Sequence, residues 1–403
     1  MQDAEIQQTI RKAMRALVLI LDGVGVGNAN DAAAYDDRGA DTLGHIFLHR
    51  QTLELPHLFS LGLGQILSGN VGTTTDVRAG YGRMRPASTG KDTLAGHWEI
   101  AGVIVKEPFA VYEIFPDTLV DVIERDANIE FVGNCAQNGN EILEEFGEIH
   151  FKQRNPILFT SGDSVMQIAA HEEIIPRKRL YEICRVARRH CNALRIGRVI
   201  ARPFTGTPGH FASAAGRHDF PIVPPRTVLN AISETGLAVE GVGKISDIFA
   251  HSGITRSHRT SSNGEGMKTV EKLWSGMHDG LIFANLADFD TLHGHRRDLH
   301  GFAGALTEFD AWLGGFLPEI ESEDLVIITA DHGNDPTFRG TGHTREEVPL
   351  IALSNGHQGS LGVSETFSDV GATLMAYFGL EEKWPVGRSL FHFNGKRPRP
   401  FHL

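Results

Sequence analysis

The sequence has few cysteines and no excess of positive charge. Cys135, Cys184 and Cys191 are the three cysteines among 403 residues. They lack C-x-x-C spacing and cannot all pair, so a disulfide framework is not expected and a reducing cytoplasm fits best. The 50 acidic and 38 basic residues give a formal net charge of −12. This balance argues against a nucleic-acid surface, because binding to a phosphate backbone requires a basic face.

Long apolar runs are also scarce. The early run at residues 16–21 is too short for the apolar segment of a secretory signal or for a membrane span. We therefore expect a cytoplasmic protein without a membrane partner. The sequence does not fix its oligomeric state.

Three short apolar runs are each followed by an aspartate. They are residues 16–21 before Asp22, residues 280–286 before Asp290, and residues 325–329 before Asp331. Continuous apolar runs of this length are typical of buried parallel strands. Because ligand sites in open α/β sheets lie beyond the carboxyl ends of the strands, we expect the three carboxylates to converge. The predicted fold class is α/β, with a doubly wound core sheet.

The length of the chain predicts two domains, because a single hydrophobic core rarely organises 403 residues. Proline-rich stretches near residues 108–116 and 221–225 are plausible hinges around an insertion. We therefore place a smaller cap domain at 109–222. The remaining segments, 15–108 and 223–395, would form a discontinuous metal-binding core.

Helical spacing of apolar residues predicts helices at 302–316 and, within the cap, at 176–191. A further helix is expected at 368–378. The basic residues of 176–191 are interpreted as the solvated face of an amphipathic helix.

Six residues form the candidate metal-binding set. They are Asp22, Asp290, His295, Asp331, His332 and His343. Carboxylates and imidazoles together suit Mn²⁺, Zn²⁺ or Mg²⁺, and three neighbouring carboxylates need cations to offset their repulsion. Taken singly, an Asp after a strand commonly caps a helix or forms a turn, and a lone His commonly lies in the core or at the surface. The joint pattern favours two divalent ions.

Thr93 is the candidate nucleophile. A Thr hydroxyl is a poor nucleophile at neutral pH, so it needs a base or a metal to ionise it, and a nearby pair of cations would do so. Without such a cluster, Thr93 would be interpreted as a helix N-cap. Lys91 and His97, in the same segment, are candidate contacts for phosphate oxygens.

Two glycine patterns resemble nucleotide-binding motifs but do not match them. The glycines within residues 23–27 follow the first strand, yet the third is out of register for a dinucleotide fingerprint. Residues 90–91 suggest a P-loop, but Arg85 and Asp92 stand where that motif requires Gly and Ser or Thr. A nucleotide cofactor is therefore not predicted.

Nine short motifs follow one another along nearly the whole chain. They are DGVGVG (22–27), GKDT (90–93), GHWE (96–99), DSV (163–165), GRVIARPF (197–204), GKISD (243–247), GHRRD (294–298), TADHGND (329–335) and HTRE (343–346). Together they resemble the phosphopentomutase family of the alkaline phosphatase superfamily, a prokaryotic group that interconverts ribose or deoxyribose 1-phosphate and 5-phosphate. The resemblance implies an alkaline-phosphatase-like core, similar to that of cofactor-independent phosphoglycerate mutases, with an inserted α/β cap.

The resemblance also implies roles for individual residues. Asp22, Asp331 and His332 would hold one Mn²⁺ beside Thr93, and Asp290, His295 and His343 would hold the other. The positions expected to surround the sugar phosphate are Ser161, Asp163, Val165, Arg198 and Lys244. The implied mechanism is ping-pong transfer through phosphothreonine, with a sugar bisphosphate as the activator.

Part of the cap departs from the family pattern. Ser213 stands where relatives have an Arg, and Gly216 where they have an Asn. Gly342 replaces an Asp before His343, and His293 occupies a position that is usually bulky and apolar. A mutase for another phosphosugar, a metal-dependent phosphohydrolase and a non-catalytic sugar-phosphate binder therefore stay open. The resident metal and the choice between ribose and deoxyribose are not fixed.

Overall fold

The computed structural model describes residues 14–67, 71–139, 141–161, 164–354, 356–382 and 384–393, and Asp163 lies outside these ranges. Fourteen strands lie in the described part of the chain. In chain order they are β1 Met14–Leu21, β2 Gly80–Met84, β3 Val132–Ala136, β4 Ile157–Thr160, β5 Val165–His171, β6 Arg198–Thr207, β7 His210–Ser213, β8 His218–Pro221, β9 Ala238–Val242, β10 Arg256–His258, β11 Asp279–Leu286, β12 Leu325–Thr329, β13 Val348–Ser354 and β14 Gly359–Ser364.

Eleven α-helices lie in the same ranges. They are α1 Thr42–His49, α2 Pro56–Ser60, α3 Thr93–Ile100, α4 Asp117–Ala127, α5 Glu141–Gln153, α6 Arg177–Cys191, α7 Val228–Glu234, α8 Ile245–Ile248, α9 Asn263–Gly276, α10 Leu299–Phe316 and α11 Ser368–Tyr377. A short π-helical segment, Phe289–Gly294, follows β11. No helix in the described ranges combines the length and the apolar character needed to cross a bilayer.

The larger sheet has eight strands in the order β10-β9-β11-β1-β12-β13-β2-β14. The five strands from β10 to β12 run parallel to one another. Strand β13 is antiparallel to both of its neighbours, so the sheet is mixed. The α/β prediction is confirmed, although the sequence pattern gave no indication of the antiparallel strand.

The three apolar runs form β1, β11 and β12, which are neighbours in the middle of this sheet. Strand β1 pairs with β11 on one side and with β12 on the other, and both pairings are parallel. Every residue from Ala16 to Leu21 is at most 2% exposed, as expected for a strand that is covered on both faces. The prediction of buried parallel strands is confirmed.

The described residues divide into two compact units. The larger sheet belongs to the first unit, which contains the residues up to Lys106, Pro225–Ser246 and the residues from Ser252 onward. The second unit contains Glu107–Pro224 and Asp247–His251. It holds a six-stranded sheet in the order β3-β4-β5-β6-β7, with β8 paired to β6.

The helices predicted from apolar spacing are present. Helix α10 includes the predicted stretch 302–316, and α11 matches the stretch predicted at 368–378. In the second unit, α6 buries five apolar residues in the core, while its basic residues line the other faces. The buried positions are Leu180, Ile183, Cys184, Ala187 and Cys191.

Candidate metal centre and nucleophile

Three aspartates meet beyond the carboxyl ends of the three central strands. Asp22 directly follows β1, Asp290 lies in the π-helical segment after β11, and Asp331 follows β12. All three are at most 3% exposed. Because β1 lies between β11 and β12, the fold brings together carboxylates that are far apart in the chain.

His332 lies within reach of two groups of ligand atoms. Its Nε2 is 3.2 Å from Asp331 Oδ2 and 3.5 Å from Asp22 Oδ1. The ligand atoms of these three residues all lie within 4.8 Å of one another, and the same holds for Asp290, His332 and His343. The geometry therefore places His332 between two adjacent candidate cation positions, rather than in one of them alone.

His295 and His343 complete the second position. His343 Nε2 is 3.3 Å from Asp290 Oδ1, and His295 Nε2 is 3.2 Å from Asp290 Oδ2. The two Nε2 atoms are 3.1 Å apart. The structure thus assembles all six predicted residues, and their function as ligands stays a prediction.

Two carboxylate oxygens at this centre are buried without a hydrogen-bond partner. They are Asp22 Oδ1 and Asp331 Oδ2, the same oxygens that face His332. Buried charges in proteins are normally paired or bound to a metal, and these two oxygens face only imidazole nitrogens at 3.1 to 3.5 Å. Together with three imidazole nitrogens, these oxygens form a donor set that fits divalent cations of the Mn²⁺ or Zn²⁺ type.

Backbone carbonyls orient two of the imidazoles. His295 Nδ1 lies 2.6 Å from the carbonyl oxygen of Thr341, and His343 Nδ1 lies 2.9 Å from that of Lys91. In the tautomer that these contacts favour, each Nδ1–H donates to a carbonyl. The Nε2 lone pairs then face the centre, as in metal-binding histidines.

The electrostatics of the cluster show how closely the carboxylates and imidazoles are coupled. Burial raises the pKa of Asp22 to about 6, and the charges of Asp331 and Asp290 act in the same direction. Burial opposes the charged form of His332, yet the facing carboxylates raise its pKa to about 10. Protons and cations compete for the same electron pairs, so metal binding at this centre is expected to release protons.

Thr93 is the first residue of α3, and its Oγ1 lies 3.3 Å from His332 Nε2. The N-cap of α3 is Asp92, which accepts a hydrogen bond from the Ala95 N–H at 3.0 Å. Thr93 therefore does not have the capping role that was its alternative interpretation.

A Cβ at Gly96 would lie 2.1 Å from the Asp331 carbonyl oxygen, so only glycine allows α3 to approach the centre this closely.

Lys91 and His97 were expected to face phosphate oxygens, but their side chains contact other groups of the protein. His97 is fully buried, and its Nδ1 lies 2.9 Å from the Thr93 carbonyl oxygen and 3.1 Å from Asp331 Oδ2. The Lys91 ammonium pairs with Asp37 Oδ2 at 2.6 Å. These contacts make His97 part of the support beneath Thr93.

A loop that is closed at its base joins His332 to His343. Gly333 and Thr344 exchange backbone N–H to C=O hydrogen bonds at 3.2 and 2.8 Å. Arg297 donates to two carbonyl groups in the exposed outer part of the loop. The two imidazole rings stack with their centroids 3.8 Å apart, so the base of the loop fixes the spacing of the two histidines.

Two asparagines at this site were not predicted. Asn285 Nδ2 donates to Asp22 Oδ2 at 2.9 Å, and Asn334 Nδ2 donates to Asp290 Oδ1 at 2.6 Å. Each amide fixes one carboxylate through one of its oxygens. Asn285 did carry a signal, because it is a polar residue inside the apolar run of β11.

The glycine-rich loop after β1 packs around a buried carboxylate. A Cβ at Gly25 would lie 2.1 Å from Glu346 Oε2. Glu346 is 1% exposed and accepts hydrogen bonds from Gly27 N, from Thr42 N and Oγ1, and from Thr344 Oγ1. The glycine at residue 25 is thus explained by the space that Glu346 occupies, and not by nucleotide binding.

The predicted substrate residues lie in both units. Lys244 is in the first unit, close enough to Asp22 to lower its pKa against the larger effect of burial. Ser161, Val165 and Arg198 lie in the second unit, and Asp163 is outside the described residues.

A group of guanidinium side chains surrounds one carboxylate in the second unit. Arg198 Nη1 and Arg217 Nη2 lie 3.7 and 3.2 Å from oxygens of Asp219. Arg202 Nη1 donates to Gln167 Oε1 at 2.8 Å, and burial lowers the pKa of Arg202. Ser213, at the end of β7, is exposed. Arg198 and Arg217 thus face the same carboxylate, and Arg202 lies close enough for Asp219 to act on its pKa.

The chain is similar to known proteins over most of its length. Residues 14–382 match the model of the Metalloenzyme superfamily. The phosphopentomutase of Syntrophotalea carbinolica is 49% identical over 382 residues, which cover 93% of this chain and 97% of the relative. The phosphopentomutase of Caldanaerobacter subterraneus subsp. tengcongensis is 45% identical over 372 residues, which cover 91% and 94%.

A solved structure of Leishmania mexicana phosphoglycerate mutase matches with a TM-score of 0.45 and 12% identity, over 94% of this chain and 97% of that chain. The predicted fold class of the alkaline phosphatase superfamily is confirmed, as is the recognition of the family. The chain belongs to the metalloenzyme superfamily and, within it, to the phosphopentomutase family.

Proposed function

We propose that this protein interconverts the 1-phosphate and the 5-phosphate of ribose or deoxyribose by ping-pong transfer through phospho-Thr93 at a two-metal centre. The observation that carries the proposal is the position of Thr93. Its hydroxyl lies 3.3 Å from His332 Nε2, beside two buried carboxylate oxygens that have no hydrogen-bond partner. A cytoplasmic location is part of the proposal and follows from the sequence argument.

The reaction has two half-reactions of the same kind. In the first, the free hydroxyl of a pentose monophosphate attacks the phosphorus of phospho-Thr93, and the bond between phosphorus and Thr93 Oγ1 breaks. In the second, Thr93 Oγ1 attacks the other phosphorus of the pentose bisphosphate. The proton lost by the accepting hydroxyl is balanced by the proton gained at the released hydroxyl, so the net reaction consumes nothing.

The residues of the centre hold Thr93 and balance charge. Bound divalent cations would supply Lewis acidity that favours the ionised Thr93 hydroxyl and the charge on the transferred phosphoryl group. Asp22, Asp290 and Asp331 would balance the charge of those cations. Thr93 lies in the first turn of α3, where the helix dipole also favours a negative group.

The second unit is proposed to hold the phosphate that does not react. The family resemblance assigns Ser161, Asp163, Val165, Arg198 and Lys244 to positions that surround the sugar phosphate, and the arginine missing at position 213 to the phosphate that does not react. A bidentate contact between Arg and phosphate is charge-assisted, and Ser213 cannot provide one. We propose that Arg217 or Arg202 takes this role, which is supported by their position beside Arg198: Arg217 faces the same Asp219 carboxylate as Arg198, and Asp219 also acts on the pKa of Arg202.

A second candidate function follows from the same departure. If no guanidinium replaces the missing one, the natural substrate differs from ribose 5-phosphate at the end that does not react. The protein would then be a mutase for another phosphosugar or a metal-dependent phosphohydrolase. The observation behind this candidate is the serine at position 213, whose side chain cannot make the charge-assisted contact of an arginine.

Phosphorus NMR of ribose 5-phosphate tests the proposal, with Mn²⁺ and a trace of a sugar 1,6-bisphosphate as the activator. A mutase produces ribose 1-phosphate, a hydrolase produces inorganic phosphate, and a binder produces neither. Elemental analysis of the purified protein provides an independent test of the binder, because a sensor of sugar phosphates does not need two stoichiometric cations.

A further inference from the structure

Arg345 is a buried arginine whose five N–H donors are all used. Its side chain is 4% exposed. The Nε and Nη2 groups donate to the two carboxylate oxygens of Asp31 at 2.9 and 2.8 Å. The guanidinium carbon lies 4.8 Å from the centre of the Tyr35 ring. A guanidinium that is this enclosed cannot contact substrate, so its function has to lie in what it holds.

The remaining donors of Arg345 hold the segment that precedes Thr93. They reach the carbonyl oxygens of Pro86, Ser88 and Gly90, the last two from the same Nη1. Three carbonyls within five residues thus converge on one planar cation. A guanidinium presents its donors in a fixed fork, so this contact determines both the position and the orientation of the segment.

The same stretch of chain connects the segment to the metal centre. His343, two residues before Arg345, lies with its Nδ1 2.9 Å from the Lys91 carbonyl oxygen. The Arg345 backbone N–H donates to Asp37 Oδ2 at 2.8 Å, and that oxygen also accepts from the Lys91 ammonium. A predicted ligand and the approach to Thr93 are therefore fixed by one continuous tripeptide.

Arg15 is a matched arginine elsewhere in the first unit. Its Nε and Nη2 also donate to the two oxygens of one carboxylate, Asp324, at 3.0 and 2.7 Å. Its guanidinium carbon lies 4.5 Å from the centre of the Trp274 ring, and its side chain is 12% exposed. Arg15 lies at the opposite end of β1 from Asp22. The environments are alike, and the difference is the set of carbonyls before Thr93.

We propose that Arg345 is a positioning residue for phosphoryl transfer, which fixes the segment at residues 86–92 so that the Thr93 hydroxyl is held at the metal centre. The inference rests on the proposed function. It assigns Arg345 an effect on the rate of transfer, and no effect on substrate binding or on metal content. A misplacement of about 1 Å at a reacting group can cost about a hundredfold in rate.

The test uses the Mn²⁺-loaded full-length protein with Arg345→Met and Arg345→Lys, and with Arg15→Met as the control. For Arg345→Met we expect kcat to fall about a hundredfold, while KM for ribose 5-phosphate stays within about twofold and two equivalents of metal remain. Phosphorylation of Thr93 by the bisphosphate should slow by the same factor. Arg345→Lys should retain more activity than Arg345→Met, because an ammonium still offers donors to the carbonyls.

Arg15→Met should lower the melting temperature without changing kcat. An unchanged kcat in Arg345→Met overturns the proposal. So does a loss of activity that is proportional to a loss of metal, or an equal loss of kcat in Arg15→Met, since either result describes general destabilisation.

Asp31→Ala is the second variant, in case Arg345→Met does not fold. Asp31 is half exposed, so its loss is tolerated more easily, yet it removes two acceptors from Arg345. We expect kcat to fall by about two- to tenfold, which corresponds to the loss of ordinary hydrogen bonds. Amide hydrogen exchange should accelerate at residues 86–92 and not elsewhere.

Amide exchange also separates this inference from the proposed function. If the wild-type protein forms no phospho-Thr93, the proposed function fails, and the exchange at residues 86–92 in Arg345→Lys still reports whether Arg345 fixes the segment. Unchanged exchange in both Asp31→Ala and Arg345→Lys overturns the positioning role, whatever the chemistry of the site.

Discussion

The candidate metal centre of the first unit and the arginine group of the second unit are held in contrasting ways. At the metal centre every carboxylate is at most 3% exposed, and Asp22 and Asp290 are each fixed by an asparagine. In the second unit, the side chains of Arg198 and Arg217 are 36% and 55% exposed and share Asp219. The carboxylates of the first unit are fixed in place by burial, whereas the exposed arginine side chains of the second unit can change position.

This difference indicates which residues of the protein tolerate substitution. A buried ligand whose position depends on several contacts cannot be substituted without losing the others. An exposed guanidinium can be exchanged for another one nearby at little cost, since surface ion pairs contribute about 0 to 1 kcal/mol. We therefore expect chemistry to be conserved by the first unit and substrate preference to be set by the second.

The strongest test of the first unit is Thr93→Ala. We expect it to abolish phosphoryl transfer without unfolding the protein, because Thr93 contributes chemistry more than packing. Thr93→Ser, which keeps a hydroxyl, is the control and should keep measurable activity. Phosphopeptide mapping after treatment with a bisphosphate should label Thr93. Label on another residue, or wild-type activity in Thr93→Ala, contradicts the covalent role.

The next largest effect is expected from the metal ligands. Chelation should inactivate the enzyme, and Asp331→Asn or His295→Ala should lower the metal content, because each removes a ligand from a charge-balanced pair. His293→Ala is a matched control, since its imidazole faces Asp298 at 3.1 Å instead of the centre. Elemental analysis measures the outcome. Two full equivalents of metal in both ligand variants would show that the assignment is wrong.

The second unit is tested with Arg217→Ala and Ser213→Arg. If Arg217 replaces the missing guanidinium, Arg217→Ala should raise KM for ribose 5-phosphate about tenfold to a hundredfold, and Ser213→Arg should help little. If the natural substrate is different, Ser213→Arg should improve the use of ribose 5-phosphate. Arg189→Ala, exposed on α6 of the same unit, is the control and should leave KM unchanged.

A third outcome would remove the evidence that the second unit sets substrate preference. If neither Ser213→Arg nor Arg217→Ala changes KM, the altered stretch lies away from the bound substrate. The departures at Ser213 and Gly216 would then carry no information about specificity. In that case Arg202, whose pKa is lowered by burial, would be the remaining candidate for the phosphate contact.

The smallest effect on activity is expected for Glu346→Gln. This substitution should change the pH dependence of the free energy of unfolding. Burial raises the pKa of Glu346 to about 7. Because this value lies above that of the unfolded chain, about 4.3, the stabilisation is present below pH 4 and is lost as the pH rises through 7. Relative to Glu346→Gln, the wild type should lose about 2 to 4 kcal/mol of unfolding free energy across that range.

The substitution is suited to the pocket of Glu346. The amide oxygen can accept from the Gly27 and Thr42 backbone N–H groups, and the amide nitrogen can donate to the two threonine hydroxyls after these rotate. Denaturant unfolding of both proteins from pH 4 to 8 measures the effect. A difference in stability that does not vary with pH would contradict the raised pKa.

The sequence predicted the parts of this protein that depend on local patterns. The apolar runs before Asp22 and Asp331 have the continuous apolar pattern of buried parallel strands. Because the carboxyl ends of parallel strands lie on one edge of a sheet, the convergence of these aspartates could be predicted. Helices such as α10 were predicted because their apolar spacing is regular. The Gly96 and Gly25 contacts could not be predicted, because each depends on a partner more than two hundred residues away.

The supporting side chains were missed for the same reason. Nothing around Arg345 in the sequence indicates that its acceptors are Asp31 and three carbonyls near residue 88. His97 was expected to face phosphate because it lies in the same segment as Thr93, whereas the packing of α3 turns it inward. Antiparallel β13 was missed as well, since a buried strand has the same apolar pattern in either direction.

The closed base of the loop between His332 and His343 has a consequence for how this family can diverge. The two predicted ligands flank the backbone hydrogen bonds between Gly333 and Thr344, whatever path the chain takes between these two residues. Insertions or deletions next to exposed Arg339, before the Thr341 carbonyl that orients His295, would therefore leave the spacing of His332 and His343 intact. The part of the loop next to Arg339 is therefore a natural position for lineage-specific additions and for a grafted reporter peptide that leaves the predicted ligands in place.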